Sequence, residues 1–351
     1  MKILPLLTIL LPAYNEAGII EKNVAEIKNY LISLEKKYNW EILIINDGSS
    51  DNTGELAEQL AKTDDRISVY HHSVNLNLGM ALQTGFTLAK GECIIVIDLD
   101  LSYSVDHIEK MADTLFKSCA DIVIASPYMK GGKVTAVPFG RAIMSRFVNR
   151  FMWMASQEKY HTFTGMVRAY NSKFIRNLNL KTKDYEINPE IIYKSMILRA
   201  RIIEIPAHLD WTELIKMKGK RTSSMRVIRG VFSGMMSGFI FRPYIFFIGV
   251  GIILFLISVY IIIWIFINTF AIMPEIVVEP AFFDDRISIA VARVFNERPH
   301  AFFVGGFMLM LAIQFFSIGF LSLQSKRYFE ELFHLNTNIM KRLHGDKKEE
   351  K

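Results

Sequence analysis

Two carboxylates, Asp98 and Asp100, stand one residue apart where the apolar run of residues 94–102, IIVIDLDLS, gives out. Along a strand, neighbouring side chains alternate faces while i and i+2 share one, so this pair can converge where the strand opens into a loop. Paired carboxylates at that place suit a clamp that holds Mg²⁺ or Mn²⁺ against a substrate diphosphate. The same D-x-D also suits an ordinary Asp-rich turn. A second constellation lies at residues 126–149, SPYMKGGKVTAVPFGRAIMSRFVN, where a Gly-Gly turn precedes a helical pattern. Arg141 and Ser145 fall one turn apart on one face of that helix, and a guanidinium beside a hydroxyl can bind phosphate oxygens. Arg146 and Arg150 extend the charge, while Ile143, Met144, Phe147, Phe151, Met152 and Trp153 make the rest apolar. That pattern reads as an interfacial helix, with an amphipathic helix packed on a sheet as the alternative.

Positioning such residues requires a scaffold, and residues 1 to about 210 provide one by alternating short apolar runs with longer amphipathic ones. Strands are predicted at 6–11, 41–46, 67–71, 93–98 and 121–125, and helices at 17–37, 53–61, 80–89 and 105–117. The fold class is therefore α/β with a mixed, mostly parallel sheet, which puts ligands at the carboxyl ends of the strands. The polar segments fall there: Pro12 to Glu16, Asn46 to Asp51, Asn75 to Gly79 and Asp98 to Ser102. Each also reads as a plain turn, with Asp51 or Asn52 capping the helix that starts near Thr53. Four polar loops on one edge of one sheet can build a single nucleotide pocket.

In the arrangement LPAYNE, INDGSSDNT, N-x-N-x-G, DLDLS the sequence resembles the family 2 glycosyltransferases of the GT-A (Rossmann-like) fold, over about residues 6–240. It is most similar to the polyprenyl-phosphate group, which includes dolichyl-phosphate mannose and glucose synthases and undecaprenyl-phosphate sugar transferases. The resemblance implies inverting, metal-dependent transfer of a sugar from a nucleotide-diphosphate sugar to a polyprenyl phosphate. It implies nucleoside contacts at Pro12, Tyr14, Glu16 and Asp47, and metal and diphosphate contacts at Asp98 and Asp100. Ser102 stands where mannosyl-transferring relatives often have Gln, and is a weaker or water-mediated metal ligand. The acceptor phosphate falls to Arg141 and Ser145, with Thr164 and Arg168 in the segment beneath it. An arginine usual after the serine equivalent to Ser126 is replaced by Pro127. In the basic loop that closes over the donor, Ser223-Ser224 replaces a Ser-Lys pair, so Lys218 or Arg221 is expected to supply the charge. Glu190 is the general-base candidate for a hydroxyl acceptor, which is hardly ionised near neutrality. A lipid monophosphate, with its second pKa near about 6, needs positioning and charge neutralisation instead. Alternatives are a glycolipid synthase acting on a lipid hydroxyl and a catalytically silent membrane scaffold.

The composition places part of the chain in lipid. Of 351 residues, 51% are hydrophobic, and 243–274 and 301–325 contain no charge. Each exceeds the roughly 20 residues that cross a bilayer. The expected organisation is a cytoplasmic catalytic domain at 1–220, an interfacial helix at 221–242, spans at 243–270 and 301–325, an extracytoplasmic loop at 271–300 and a cytoplasmic amphipathic tail at 326–351. The net charge of +6 supports that orientation, because Arg226, Arg229 and Arg242 precede the first span and Lys326, Arg327, Lys341, Arg342, Lys347 and Lys348 follow the second, whereas the connecting loop is net acidic. Basicity gathered at a membrane surface argues against nucleic acid. No intramembrane charge marks a transport pathway, so the spans serve as anchors and as an interface through which homo-oligomers could form. The segment ILPLLTILLPA, broken by Pro5 and Pro12, reads as a first strand rather than a signal peptide. The two cysteines, Cys93 and Cys119, have neither zinc nor disulfide spacing and are expected in the core.

Overall fold

Strand β1 (Leu6–Ala13) is apolar along almost its whole length, as a strand covered on both faces must be. It pairs in parallel with β2 (Asn39–Asn46) on one side and β4 (Cys93–Val96) on the other, and β3 (Ile67–His71) extends β2. The computed structural model describes residues 4–155, 160–213, 215, 243–277 and 285–349. Beyond β4 the direction changes: β7 (Arg168–Asn171) runs antiparallel between β4 and β5 (Ile122–Ser126), and β8 (Ile202–Pro206) pairs in parallel with β5. The order is β3-β2-β1-β4-β7-β5-β8, a mixed and mostly parallel seven-stranded sheet of the expected class. A separate ribbon joins β6 (Lys133–Thr135) to β9 (His208–Asp210).

Helices α1 (Ile20–Ser33), α2 (Thr53–Thr63), α3 (Leu78–Leu88) and α4 (His107–Ser118) connect the parallel strands, as the alternation predicted. Their inward stripes, such as Ile20, Val24, Ile27 and Leu31 on α1, are fully buried, at a gain of about 1.5–3 kcal/mol for each large side chain. Later in the domain come α5 (Phe139–Ala155), α6 (Ser172–Arg176) and α7 (Ile187–Ile197). Cys93 starts β4 and is buried, but Cys119 is exposed, which corrects the core assignment. It ends α4 at φ 48, a left-handed cap that turns the chain toward β5.

The chain divides into two units, Met1–Phe241 with His334–Lys351, and Arg242–Phe333. The second contains α8 (Pro243–Ile272), α9 (Arg286–Glu297) and the first part of α10 (Pro299–Glu349). The segments Pro243–Glu275 and Pro299–Thr337 are long and apolar enough to cross a membrane. At 30 residues, α8 alone is about 45 Å long. Small residues let these helices approach: an added Cβ at Gly251 would meet the Phe316 ring at 2.8 Å, and Ser258 Oγ donates to the Gly305 carbonyl at 2.9 Å. The tail expected as a separate amphipathic piece continues α10 without a break. The expected interfacial helix at 221–242 lies outside the described residues.

Candidate functional site

The site is assembled from loops at the carboxyl ends of β1, β2, β3 and β4, and hydrogen bonds stitch the first three of them into one surface. Asn15, held at φ 55, receives the Ser50 backbone N–H on its Oδ1 at 2.8 Å and donates its own N–H to Ser49 Oγ at 3.0 Å. The Glu16 N–H reaches Thr53 Oγ1 at 2.8 Å and the Ala17 N–H reaches Asp51 Oδ2 at 3.2 Å. Asp51 also accepts the Thr53 N–H at 3.0 Å, so this residue both opens α2 and fastens the first loop to the second. Within that joint, Tyr14 is exposed and Pro12 half-buried.

Asp47 is buried beneath this edge. Its Oδ1 meets His72 Nδ1 at 2.7 Å and accepts the Leu76 N–H at 2.9 Å, while His72 Nε2 meets Thr84 Oγ1 of α3 at 3.0 Å. Gly48 presses the second loop onto the third: at φ 62, a Cβ there would lie 2.3 Å from the Val74 carbonyl carbon, so only glycine fits.

Strand β4 ends at Val96, two residues earlier than the sequence predicted, and both carboxylates lie in the loop that follows. The Leu101 N–H closes a turn on the Asp98 carbonyl at 3.1 Å, with Leu101 itself at φ 50. The Ser102 N–H donates to Asp100 Oδ1 at 2.9 Å, and Asn23 of α1 donates to the Leu99 carbonyl at 2.8 Å. Burial, and then the negative charges of Asp100 and Glu16, push the Asp98 carboxyl up to about 8. Glu16 of the first loop and Asp100 of the D-x-D loop therefore both lie within electrostatic reach of Asp98.

Among the described residues, no group of three or more His, Cys, Asp or Glu side chains is arranged to hold a metal ion. Two hard carboxylates with a buried serine beside them nonetheless match the donor set of a cation that takes its remaining ligands from substrate phosphate and water. The residues present fit Mg²⁺ or Mn²⁺ on those terms.

Helix α5 brings up the basic side. Arg141 is exposed and lies within electrostatic reach of Asp100, Tyr128 and Tyr185. Ser145 Oγ accepts a hydrogen bond from the Tyr128 hydroxyl at 2.8 Å, which leaves its own proton free to donate. Asn149, buried one turn further on, donates to the Ser145 carbonyl at 2.9 Å and to Thr164 Oγ1 at 3.3 Å, and accepts the Phe163 N–H at 2.7 Å. Asn149 thus links Ser145 to Thr164, and Arg141 stands one turn before Ser145 on α5.

Arg168 is not at that surface. It is fully buried in β7 and donates to the carbonyls of Phe163 at 2.6 Å and Asn188 at 3.0 Å, so it holds the floor of the site and cannot reach an acceptor. Glu190 is likewise committed. Its Oε1 pairs with Lys194 Nζ at 2.6 Å, and its Oε2 accepts the Thr182 N–H at 2.9 Å. Burial raises its pKa, but Lys194 and the Thr182 N–H outweigh that and lower it overall. Lys218 and Arg221 lie outside the described residues. Residues that motif reading missed are His72, Tyr128, Asn149, Tyr185 and Trp211. Of these only Tyr128 carried a signal, as a polar aromatic in the turn that follows β5.

Residues 8–178 match the family described as Glycosyl transferase family 2. The chain is 28% identical over 220 residues to a protein of Mycolicibacterium smegmatis named polyprenol monophosphomannose synthase, a match covering 60% of this chain and 80% of that protein. It is 26% identical over 229 residues to a Trichomonas vaginalis protein named dolichyl-phosphate beta-glucosyltransferase ALG5A, covering 63% and 70% respectively. Among solved structures, the mannosyltransferase PcManGT of Pyrobaculum calidifontis, in complex with GDP-Man and Mn²⁺, superposes with a TM-score of 0.42 at 15% identity, covering 97% of this chain and 88% of that one.

Proposed function

From a chain whose residues 8–178 form a glycosyltransferase family 2 domain, we propose an integral membrane enzyme that transfers a sugar, with inversion, from a nucleotide-diphosphate sugar to a polyprenyl phosphate at the inner leaflet. The observation that carries this reading is the placement of Arg141 within electrostatic reach of Asp100. A guanidinium and a hydroxyl suited to one phosphate thereby stand within electrostatic reach of an acidic loop suited to a diphosphate-bound cation. The names of the mycobacterial and trichomonad relatives support a polyprenyl-type acceptor, and the two long apolar helices support a membrane setting.

Pro12, Tyr14, Glu16 and Asp47 line the nucleoside end of this pocket. Asp98 and Asp100, with Ser102 as a weaker ligand, would hold a divalent cation, which would neutralise the leaving diphosphate. Arg141, Ser145 and Thr164 orient the acceptor phosphate so that one of its oxygens attacks the anomeric carbon opposite the leaving group. A phosphate with a second pKa near about 6 is already nucleophilic, so no base is required. The ion-paired state of Glu190 agrees with that and counts against a hydroxyl acceptor, whose proton that residue would have to remove. The catalytic domain and C-terminus are cytoplasmic in this reading, by the basic flanks of the apolar helices.

The test is transfer from radiolabelled UDP- and GDP-sugars to a short polyprenyl phosphate in detergent, with Mg²⁺, Mn²⁺ or EDTA. A labelled lipid lost with EDTA supports the reading and names the sugar. Absence of product from every donor, in folded protein, turns the assignment to a hydroxyl acceptor or to the scaffold.

A further inference from the structure

Arg141 must present its N–H edge to a phosphate, yet a long side chain on the first turn of a helix has many rotamers to choose among. Among the described residues no carboxylate pairs with it within salt-bridge distance. What holds it is a ring: the guanidinium carbon lies 4.4 Å from the centroid of Trp211. A cation held by its face keeps its edge donors available, which an ion pair would consume.

Trp211 is itself anchored from two sides. Its backbone N–H donates to the Thr135 carbonyl at 3.1 Å, and the preceding Asp210 backbone N–H donates to the Ser102 carbonyl at 2.9 Å. The Asp210 carboxylate accepts the Thr212 N–H at 2.9 Å and so fixes the turn that aims the indole. Tyr103, next to Ser102, bridges to Leu209 of the same strand. Ser102 in turn holds Asp100 through its N–H. A continuous strap therefore runs from the acidic loop through Ser102 and Asp210 to Trp211 and onto Arg141.

We infer that Trp211 is a positioning residue, which stacks on Arg141 and sets the edge of its guanidinium toward the acceptor phosphate, in register with the acidic loop. This rests on the acceptor reading above. It makes acceptor capture depend on a residue far along the chain from α5, and it predicts a loss confined to the acceptor.

The experiment uses the full-length protein in detergent, with Trp211→Leu, which keeps apolar bulk, and Trp211→Phe, which keeps an aromatic face. Trp211→Leu is expected to raise the KM for polyprenyl phosphate roughly tenfold, with Trp211→Phe restoring most of it, while the donor KM stays at the wild-type value. Phenylglyoxal labelling of Arg141, read by mass spectrometry, is expected to accelerate in Trp211→Leu and remain slow in Trp211→Phe. The labelling reads the stack without any substrate, so a wild-type protein that transfers no sugar to polyprenyl phosphate overturns the acceptor reading and leaves the stack to be judged by labelling. Equal labelling rates in the wild type and both variants overturn the stack. A donor KM that rises together with the acceptor KM overturns the positioning role in favour of general collapse of the loop.

Discussion

Asp47 and His72 are joined by a 2.7 Å hydrogen bond in the interior, and the same carboxylate oxygen holds the Leu76 N–H. One buried acid therefore ties the loop after β2 to the loop after β3. Because His72 also meets Thr84, the pair sets where the third loop stands relative to the second and to α3. His72→Phe removes both contacts and is expected to cost about 1–3 kcal/mol of stability, with the donor KM raised and the acceptor KM unchanged. Denaturant unfolding and donor saturation curves check it, and an unchanged donor KM would detach His72 from the site.

Asp100 holds the Ser102 N–H and, in the proposed reading, a divalent cation as well. Asp100→Asn keeps an oxygen for the Ser102 N–H but removes the charge, so the loop is expected to survive while transfer falls by at least about a hundredfold. Thermal shift with Mn²⁺ separates the two roles. The wild type is expected to gain stability from the ion and the variant to gain none; full activity in the variant removes the metal clamp.

Glu190 gives a pH signature. Its pKa is lowered in the folded protein, so folding favours the ionised form. That stabilisation is complete above the ordinary glutamate pKa of about 4.3 and is lost as pH falls through the lower folded value. Glu190→Gln is expected to cost about 2 kcal/mol near neutrality, with the gap to the wild type closing in acid, and to leave kcat near the wild-type value. A collapse of kcat with unchanged stability would restore Glu190 as a base.

Gly79 sits at the start of α3 against the backbone of residues 182–184, and a Cβ there would lie 2.4 Å from the Thr182 carbonyl oxygen. Backbone cannot yield as a side chain end can. Gly79→Ala is expected to destabilise by about 1–3 kcal/mol and to displace the segment that carries Tyr185. A melting temperature equal to the wild type would count against that packing.

Tyr128 donates to Ser145, so the serine hydroxyl keeps its proton to give to another acceptor. Tyr128→Phe is expected to weaken acceptor binding by about threefold to tenfold, as for one lost hydrogen bond, with donor binding unmoved. Acceptor titration at saturating donor decides it. Equal acceptor affinity would show that Ser145 needs no partner.

Much of the scaffold was legible because it depends on local pattern. The apolar run of β1, the exact span Ile67–His71 of β3 and the alternation with α1 to α4 follow from period and turn chemistry. Strand β7 was not legible. It is short, and its place between β4 and β5 is set by pairing partners far away in sequence. The same holds for Arg168, which the family resemblance placed at the acceptor although its strand lies in the middle of the sheet.

By itself the sequence determined the chemistry on offer: paired carboxylates at a strand end, an arginine and serine one helical turn apart, and two helices long and apolar enough to cross a membrane. These are properties of spacing and of side-chain type, which neighbours along the chain settle. Tertiary structure alone decided that Glu190 accepts the Thr182 N–H, that His72 secures Asp47, and that Trp211 meets Arg141. Each joins segments that no periodicity links, because hydrogen-bond and stacking partners are chosen by proximity after the sheet has formed, when burial leaves a polar group only the partners that packing has brought within reach.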